Sequence, residues 1–186
     1  MQVVVYDANV LYPSTLRDVL IRVGLARLVQ PKWTEQILDE VFRNLRANRP
    51  DLDPERLDRT RRLMNEAIRD VSVTGYENLI GQLDLPDPDD RHVLAAAIHA
   101  DAQVIVTHNL RDFPSEQLAS RGVEAQHPDN FLTGLHQDNP AALGKIVTEI
   151  TALWGGGDSY NDVLDSLALD APGTVALLRQ ALEDRG

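Results

Sequence analysis

The chain has 186 residues, enough to bury the core of one domain, and its 43% hydrophobic and 25% charged residues are ordinary for a globular protein. Its net charge of −11 excludes a protein that coats nucleic acid through a general positive field, but allows an enzyme that gathers carboxylates around metal ions. The absence of cysteine excludes disulfides and thiolate metal sites. Because no apolar run approaches a membrane span and the N-terminus lacks the pattern of a signal peptide, we expect a cytoplasmic protein without membrane contact.

The first predicted element is a β-branched strand over residues 2–6, which ends abruptly at Asp7 and a polar turn through Asn9. An aspartate at the carboxyl end of a strand, followed by a polar turn, is typical of a ligand-binding site. Taken alone, Asp7 could equally shape the turn through its own side chain. The pattern of this stretch leaves both roles open.

A helix and a second strand are predicted next along the chain. Ser14 can cap a helix that runs to about Val23 and ends at Gly24. Residues 25–30 follow as the second predicted strand, which Pro31 closes.

Thr34 begins another predicted helix, whose apolar residues recur at helical spacing. Two adjacent acids of this helix, Asp39 and Glu40, both lie off the centre of the apolar stripe. Periodicity does not choose between them, since a solvated acid is the usual case at either position.

Residues 43–69 form an arginine-rich segment, called here the helical arm. Asp53 and Pro54 give the cap and first-turn signals of a helix that runs to about Asp70. Of the 18 basic residues 16 are arginine, and eight of these lie in the arm beside five acids, so the arm is about +3 and the remainder about −14. Arginine binds phosphate through a bidentate fork, which makes the arm a candidate RNA-guiding surface. The alternative is a solvated surface held by ion pairs such as Glu55–Arg59.

The stretch from Leu85 to Asn109 contains an acidic loop, a small-residue helix and an apolar strand that ends in a polar turn. Two prolines keep the entry out of helical geometry, and Asp87 or Asp89 can cap the helix that follows. Residues 102–106 have the composition of a strand buried on both faces. Ligands bind outside the carboxyl ends of strands in open α/β sheets, so a site is expected here.

The remainder of the chain is predicted to be mostly helical. A short helix capped by Ser115, a last strand over residues 122–125 and a helix capped by Asp129 complete the alternating pattern, which predicts an α/β fold with a parallel sheet between two helical layers. We expect one domain over residues 1–132 and a helical extension over residues 133–186, in which the glycine triplet 155–157 is a linker.

Acidic residues from several separate segments are expected at one end of that sheet. They are Asp7, the group Asp87, Asp89 and Asp90, and the turn that leads to Asp112. Crowded carboxylates repel one another unless protons or cations neutralise them. Oxygen ligands favour Mg²⁺ or Mn²⁺, and such a site could polarise a phosphodiester and activate water for in-line attack.

Four stretches together resemble the PIN-domain family, of the kind found as the toxin of bacterial VapBC-type toxin–antitoxin pairs. They are VVVYDANVLYP, TEQILDEVFRNL, LPDPDDRHVLAAAIHADAQVIVTHNLRDFP and GVEAQHPDNFL, and the likeness covers about residues 2–132. The resemblance implies a PIN-like three-layer α/β/α fold.

The resemblance also implies a set of site residues. It makes Asp7, Glu40 and Asp90 the catalytic, metal-binding acids, and so selects Glu40 over its neighbour. Asn109 stands at the fourth position, where the family often has aspartate; its carbonyl oxygen can coordinate a metal but supplies no charge. Further candidate ligands are Asp87 and Asp112, and candidate substrate contacts are Asn9, Arg43, Arg46 and Thr107.

The function implied by the resemblance is that of an endoribonuclease dependent on Mg²⁺ or Mn²⁺, which leaves 5′-phosphate and 3′-hydroxyl ends. A homodimer and a cognate antitoxin are implied as well. Three alternatives stay open: a PIN-like module that binds RNA or protein without catalysis, a housekeeping RNA-processing nuclease, and a response-regulator-like or phosphohydrolase domain. The last is disfavoured because Asp7 lacks the second acid that both of those classes carry.

The histidines give little support to another metal site. His92 and His99 are seven residues apart without a third ligand at helical spacing, so a zinc site is not expected. His92 and His108 lie near the predicted groove and are candidates for contact with RNA phosphate.

Overall fold

The protein is described by a computed structural model over residues 1–154 and 159–184. Within these residues, one parallel sheet contains four strands in the order β2-β1-β3-β4. The strands are β1 (Val3–Tyr6), β2 (Gln30–Lys32), β3 (Val104–Val106) and β4 (Glu124–Gln126). The two central strands are apolar and almost wholly buried, as expected where helices cover both faces of a parallel sheet.

Helices connect the strands and continue beyond the last one. The described part of the chain contains α1 (Ala8–Leu11), α2 (Ser14–Leu25), α3 (Glu35–Asn48), α4 (Pro54–Ala67), α5 (Glu77–Ile80), α6 (Arg91–His99), α7 (Ser115–Leu118), α8 (Pro128–Asp138), α9 (Pro140–Trp154), α10 (Tyr160–Leu167) and α11 (Pro172–Glu183). Three short 3₁₀ turns, Pro88–Asp90, Leu110–Asp112 and Ala119–Arg121, lie between them. The predicted α/β fold, with a parallel sheet between helical layers and helices at the C-terminus, is confirmed.

Helices α3 and α4 begin where the sequence signals predict. The Thr34 side chain accepts a hydrogen bond from the backbone N–H of Ile37, and Asp53 caps α4 by accepting from the N–H of Glu55. The apolar stripe of α3 is buried throughout. The helical arm comprises the end of α3 and the whole of α4, and α3 also carries Asp39 and Glu40 to the edge of the site described below.

The predicted second strand was wrong in position. Helix α2 continues through Gly24 to Leu25, and the strand covers Gln30–Lys32, with Pro31 inside it. Proline is tolerated there because β2 lies at the edge of the four-stranded sheet. Gly24 does not end the helix; a Cβ at Gly24 would lie 2.4 Å from Pro31 Cγ, so the glycine allows α2 to approach the strand closely.

Three predicted caps were also wrong. Ser14 and Ser115 are the first residues of their helices and make no capping bond, and the capping side chain of α8 is His127 rather than Asp129. The last strand begins two residues later than expected, after Gly122 has closed the preceding turn with a positive φ of 68°.

The C-terminal helices pack onto the rest of the molecule. Helix α9 contacts α2 and α8, and α11 contacts α8 and α10. Their buried residues belong to one hydrophobic cluster with those of the strands. The predicted linker at residues 155–157 lies outside the described residues. Over the ranges that the structure describes, no helix is both long and apolar enough to cross a membrane.

Candidate active site

Asp7 lies at the carboxyl end of β1 and is almost fully buried. Its Oδ1 atom accepts a hydrogen bond from the backbone N–H of Ala8, at 2.8 Å. Its Oδ2 atom accepts one from the hydroxyl of Thr107, at 2.8 Å, and one from the side-chain amide of Asn9, at 3.1 Å. The carboxylate is therefore held in one orientation by groups from two neighbouring strand ends.

The turn after β3 is tied to the turn after β1. The Asn9 amide also donates to the Thr107 hydroxyl, and the Asn9 carbonyl accepts from the backbone N–H of His108, at 3.0 Å in both cases. The backbone N–H of Asn109 donates to the same hydroxyl, at 3.1 Å. Asn9 and Thr107, predicted as substrate contacts, thus have their polar atoms directed at Asp7 and at each other.

The acidic loop before α6 supplies the second group of carboxylates. Asp87 caps the 3₁₀ turn by accepting from the backbone N–H of Asp89, at 2.9 Å, and Asp90 is the last residue before α6. Asp90 is half-buried, whereas Asp87 and Asp89 are exposed. The prolines and the cap hold this loop at the start of a helix, which is where the sequence pattern predicted it.

A cleft of about 530 Å³ lies between α3 and the acidic loop. Asp39, Glu40 and Arg43 line it from α3, and Asp87, Asp89, Asp90 and His92 line it from the other side. Asp39 Oδ1 lies 2.7 Å from Arg61 Nη1, whereas Glu40 has no ion pair within the described residues. Asp39 is thus paired with Arg61, which it shares with Glu35, and Glu40 is the α3 carboxylate that lines the cleft without an ion pair among the described residues.

Two of the carboxylates, Asp7 and Asp90, have a raised pKa, because they are buried and lie near other acids. Burial raises the pKa of Asp7 to about 6, with further increases from the charges of Glu40 and Asp112, although the bonds from Thr107 and Ala8 oppose the shift. Burial also raises the pKa of Asp90 to about 7, and the charges of Asp7, Asp87, Asp112 and Glu40 add to the effect. Five predicted acids from distant parts of the chain therefore share one electrostatic field.

This donor set suits a hard divalent cation. No group of three or more acids and histidines among the described residues already has the spacing of a metal cage. Mg²⁺ is commonly bound through one or two carboxylates together with waters and substrate phosphates, so it does not require such a cage. Burial, and to a smaller extent repulsion between the acids, raises the pKa of Asp7 and Asp90, and a bound cation would offset both effects by stabilising the ionised carboxylates. Asn109 is exposed at the end of the turn.

The arginines of the helical arm are mostly paired. Arg46, Arg49, Arg61, Arg62 and Arg69 each form an ion pair with an acid. Arg43, Arg56 and Arg59 have no ion pair within the described ranges, and Arg43 alone of the three lines the acidic cleft. A surface held by ion pairs, the alternative to an RNA-guiding arm, therefore accounts for five of the eight arginines, although the predicted Glu55–Arg59 pair is not formed among the described residues. The other three arginines are exposed.

Two polar residues near the site were not identified from the sequence. His127 and Asp170 both contact His108, which lies in the turn between Thr107 and Asn109. His127 precedes α8, and Asp170 lies between α10 and α11. No sequence motif joins these positions, since their proximity depends on how the C-terminal helices pack.

The fold and the site together define an α/β protein with a parallel sheet, a buried aspartate at the carboxyl end of β1, and a cleft lined by carboxylates between α3 and the acidic loop. The family model of the PIN domain matches residues 3–111, and the chain belongs to the PIN-domain family. The family resemblance drawn from the sequence is thereby confirmed.

A curated relative adds to this. Over 107 residues the chain is 48% identical to a Mycobacterium tuberculosis (strain ATCC 25618 / H37Rv) protein named "Putative ribonuclease VapC50". The match covers 57% of this chain and 63% of the relative, so it spans less than two thirds of that protein. Comparison with solved structures gives no significant match.

Proposed function

We propose that the protein is a metal-dependent endoribonuclease and the toxin of a toxin–antitoxin pair, hydrolysing RNA phosphodiesters to 5′-phosphate and 3′-hydroxyl ends. The observation that carries the proposal is that Asp7, Glu40 and Asp90 come together at one site, where burial, together with the neighbouring charges, raises the pKa of Asp7 and of Asp90. Membership of the PIN-domain family and the ribonuclease name of the VapC50 relative support it.

Asp7, Glu40 and Asp90 would hold Mg²⁺ or Mn²⁺, with Asn109, Asp87 and Asp112 as further ligands. When bound, the ion supplies Lewis-acid activation of water and neutralises the charge that develops on the phosphate. Asn109 contributes an oxygen without charge, so the acids of the cleft carry the electrostatic part of binding.

Polar side chains near the acids orient Asp7 and supply positive charge for the RNA. Thr107 and Asn9 donate to Asp7 Oδ2, which favours the ionised carboxylate that a cation requires. Arg43 is the unpaired cation of the cleft wall, and we assign to it the contact with an RNA phosphate. Arg46, the other arginine predicted to contact the substrate, pairs with Asp58 and does not line the cleft, so it would reach an RNA phosphate only when that ion pair opens.

The remaining parts of the proposal concern the whole protein. Residues 1–132 would form the nuclease domain and residues 133–186 a helical extension, in a cytoplasmic homodimer that a cognate antitoxin inhibits. The name of the VapC50 relative is the support for the antitoxin. A housekeeping RNA-processing nuclease would share the site but would have no gene for a DNA-binding antitoxin directly upstream.

The test is cleavage of a mixed RNA pool by the full chain with Mn²⁺, Mg²⁺ or EDTA. Wild type should cut with either metal and not with EDTA, and Asp7→Asn and Asp90→Asn should each lose at least about 100-fold in rate, because each removes a ligand. Asp165→Asn, at an exposed ion pair with Arg179, is the control and should cleave normally. Cleavage that persists in a pure Asp7→Asn preparation would contradict the assignment.

A second candidate function is a PIN-like module that binds RNA or a protein without cutting. Asn109 is the observation that favours it, since this position lacks the charge that the family usually places there. In that case wild type would be folded and would bind RNA, yet remain inert with every metal. The same assay therefore separates the two functions.

A further inference from the structure

The turn that follows β3 contacts the C-terminal part of the chain through the side chain of His108. Its Nδ1 atom lies 3.2 Å from Nε2 of His127, and the two rings meet edge to face with centroids 5.0 Å apart. Its Nε2 atom lies 3.1 Å from Oδ1 of Asp170, at the distance of an ion pair but without the alignment of a hydrogen bond. His108 thus bridges the site to two later segments.

The surrounding bonds determine where the imidazole protons lie. Nδ1 of His127 accepts from the backbone N–H of Asp129, at 3.2 Å, so the proton of this ring is on Nε2. That atom then donates to Nδ1 of His108, which leaves the His108 proton on Nε2, facing the Asp170 carboxylate. In this arrangement the two histidines share one hydrogen bond, and the His108 Nε2 proton lies near the Asp170 carboxylate without forming an aligned hydrogen bond.

Asp129 fastens the other end of the network to α11. Its carboxylate accepts from the backbone N–H groups of Gly173 and Thr174 and from the Thr174 hydroxyl, each at 2.8 Å. It therefore satisfies the free N–H groups of the first turn of α11. A Cβ at Gly173 would lie 2.9 Å from the Asp129 carboxylate, so this contact also depends on the glycine.

The same network continues in the opposite direction to Asp7. The backbone N–H of His108 donates to Asn9, and Asn9 and Thr107 both donate to Asp7 Oδ2. A continuous path of contacts therefore joins Asp170 to the first metal-binding acid. A shift of His108 would move its own backbone and that of Thr107, and with them the two donors that orient Asp7.

We propose that Asp170 is a positioning residue of the active site: by holding His108 it fixes the turn whose Thr107 and Asn9 orient the Asp7 carboxylate. The inference rests on the proposed function, because the orientation of Asp7 matters for catalysis only if that carboxylate binds a cation. On this view the helical extension is a working part of the nuclease site.

Packing alone does not explain the placement of Asp170. The C-terminal helices are already held by buried apolar residues, such as Leu143, Ile150 and Leu178, in one cluster with the sheet. The Asp170 side chain is only 15% exposed, and removing a carboxylate from water costs stability unless it gains a polar partner. The polar partner of Asp170 is His108, in the turn after β3. The burial of this carboxylate is therefore offset only while that turn keeps its position.

The experiment measures Mn²⁺ binding by isothermal titration calorimetry and steady-state RNA cleavage, both on the full chain. Asp170→Asn and His108→Gln break the contact from either side, and Asp165→Asn removes one negative charge elsewhere in the extension as the matched control. We expect each of the first two variants to bind Mn²⁺ about tenfold more weakly and to lose kcat with KM nearly unchanged, because groups behind the metal ligands typically have such effects. The control should match wild type.

The double variant decides whether the two residues act together. Residues that act through one contact are non-additive, so Asp170→Asn combined with His108→Gln should lose no more than the worse single variant. Additive losses would overturn the inference. So would an Asp170→Asn protein that binds Mn²⁺ and cleaves like wild type, even with a lower melting temperature.

Failure of the proposed function gives a different result. A wild-type protein that neither binds Mn²⁺ nor cleaves RNA would contradict the function and this inference together. Wild type that does both, beside an unaffected Asp170→Asn, would contradict only the inference. If Asp170→Asn does not fold, His108→Gln carries the same comparison, since it leaves the carboxylate near α11 in place.

Discussion

At the residue scale, the site is built around a buried charge that destabilises the protein until it is neutralised. Asp7 is buried with two donors to one oxygen and one donor to the other, and its pKa is still raised to about 6. Burial and the neighbouring acids thus outweigh the hydrogen bonds from Thr107 and Ala8, which lower the pKa of Asp7. A bound cation would therefore stabilise the folded protein, and without a cation the ionised carboxylate lowers its free energy of unfolding at high pH.

The prediction that follows concerns Asp7→Asn in the absence of metal. A folded pKa of about 6 against an ordinary value of 3.8 means that ionised Asp7 opposes folding above pH 6, and that this cost disappears below about pH 4. Asp7→Asn should therefore be more stable than wild type at pH 8, by on the order of 2 kcal/mol, after allowing for the acceptor lost where one carboxylate oxygen becomes an NH₂ group facing either Ala8 or Thr107 and Asn9. The difference should shrink to near zero or reverse by pH 4.

Urea unfolding of both proteins between pH 4 and pH 8, with EDTA present, measures this difference. Added Mn²⁺ should stabilise wild type and leave Asp7→Asn almost unchanged, because a ligand stabilises only the state that binds it. If Asp7→Asn is less stable than wild type at pH 8, the carboxylate has a structural role that outweighs its repulsion. Asp165→Asn, at an exposed pair, should show no such pH dependence.

Sequence reasoning at this scale identified the acids and named Asn9 and Thr107, which donate to Asp7, but it did not identify His127 or Asp170. The strand-end position of Asp7 and the loop before α6 follow from local patterns, since both depend on residues adjacent in the chain. The distinction between Asp39 and Glu40 came from family resemblance; its physical counterpart is the ion pair with Arg61, a residue of another helix. Periodicity within α3 carries no information on α4.

At the element scale, one glycine shows how a local signal can mislead. Gly24 was interpreted as the end of a helix because glycine commonly occupies that position. In the structure it lies within α2, where the helix crosses Pro31 and Ile68 at a distance that leaves no space for a side chain. Glycine is favoured both at a helix end and where two elements approach closely. The sequence alone therefore could not show that α2 continues past Gly24 and that β2 begins only at Gln30.

We predict that Gly24→Ala destabilises the protein by about 2 kcal/mol. Alanine is the better helix former, but its Cβ would lie 2.4 Å from Pro31 Cγ and 2.9 Å from Ile68 Cδ1, and overpacking of this kind typically costs 1–3 kcal/mol. Gly134→Ala in α8 is the matched control, because nothing lies within 4 Å of its Cβ position. That change should stabilise by about 0.5–1 kcal/mol.

Denaturant midpoints of the two alanine variants, compared at equal m-values, test whether Gly24→Ala lowers the free energy of unfolding and Gly134→Ala raises it. If Gly24→Ala were neutral or stabilising, α2 could move away from β2 at little cost. Close packing would then not be the reason for glycine at this position. A loss of stability in both variants would instead point to a general effect of alanine at glycine positions.

At the scale of the whole molecule, the sequence predicted the layers but not the contacts between distant parts. Alternating strand and helix patterns are sufficient for a parallel sheet with helices on both sides, because each strand and each connecting helix is a local feature. The bridge from His108 to Asp170 joins residues 62 positions apart and depends on the docking of α11 through Asp129. The family resemblance stopped near residue 132 and therefore gave no information on it.

The net charge of the whole molecule limits which surface can bind RNA. The protein carries −11 overall, so RNA must approach through the few cations that are not already neutralised. Of the eight arginines in the helical arm, Arg43, Arg56 and Arg59 are exposed and have no ion pair within the part of the chain that the structure describes. Binding of single-stranded RNA should therefore rest on about three phosphate contacts.

This gives a quantitative expectation for the salt dependence of RNA binding. About three contacts at roughly 0.7 per phosphate predict that the logarithm of the association constant falls with log salt with a slope near −2. Fluorescence anisotropy of labelled RNA with the Asp7→Asn protein in Mg²⁺ measures the slope without cleavage. Arg43→Gln should make the slope shallower by about 0.7 and weaken binding across RNA sequences.

Arg49→Gln is the control for that change, since it also removes one positive charge but at a guanidinium already held by both oxygens of Asp51. Its slope should match the parent protein. A slope steeper than about −4 would mean that the ion pairs of the helical arm open to bind phosphate. In that case the arm guides RNA as a whole, and the three unpaired arginines do not define the path of the strand.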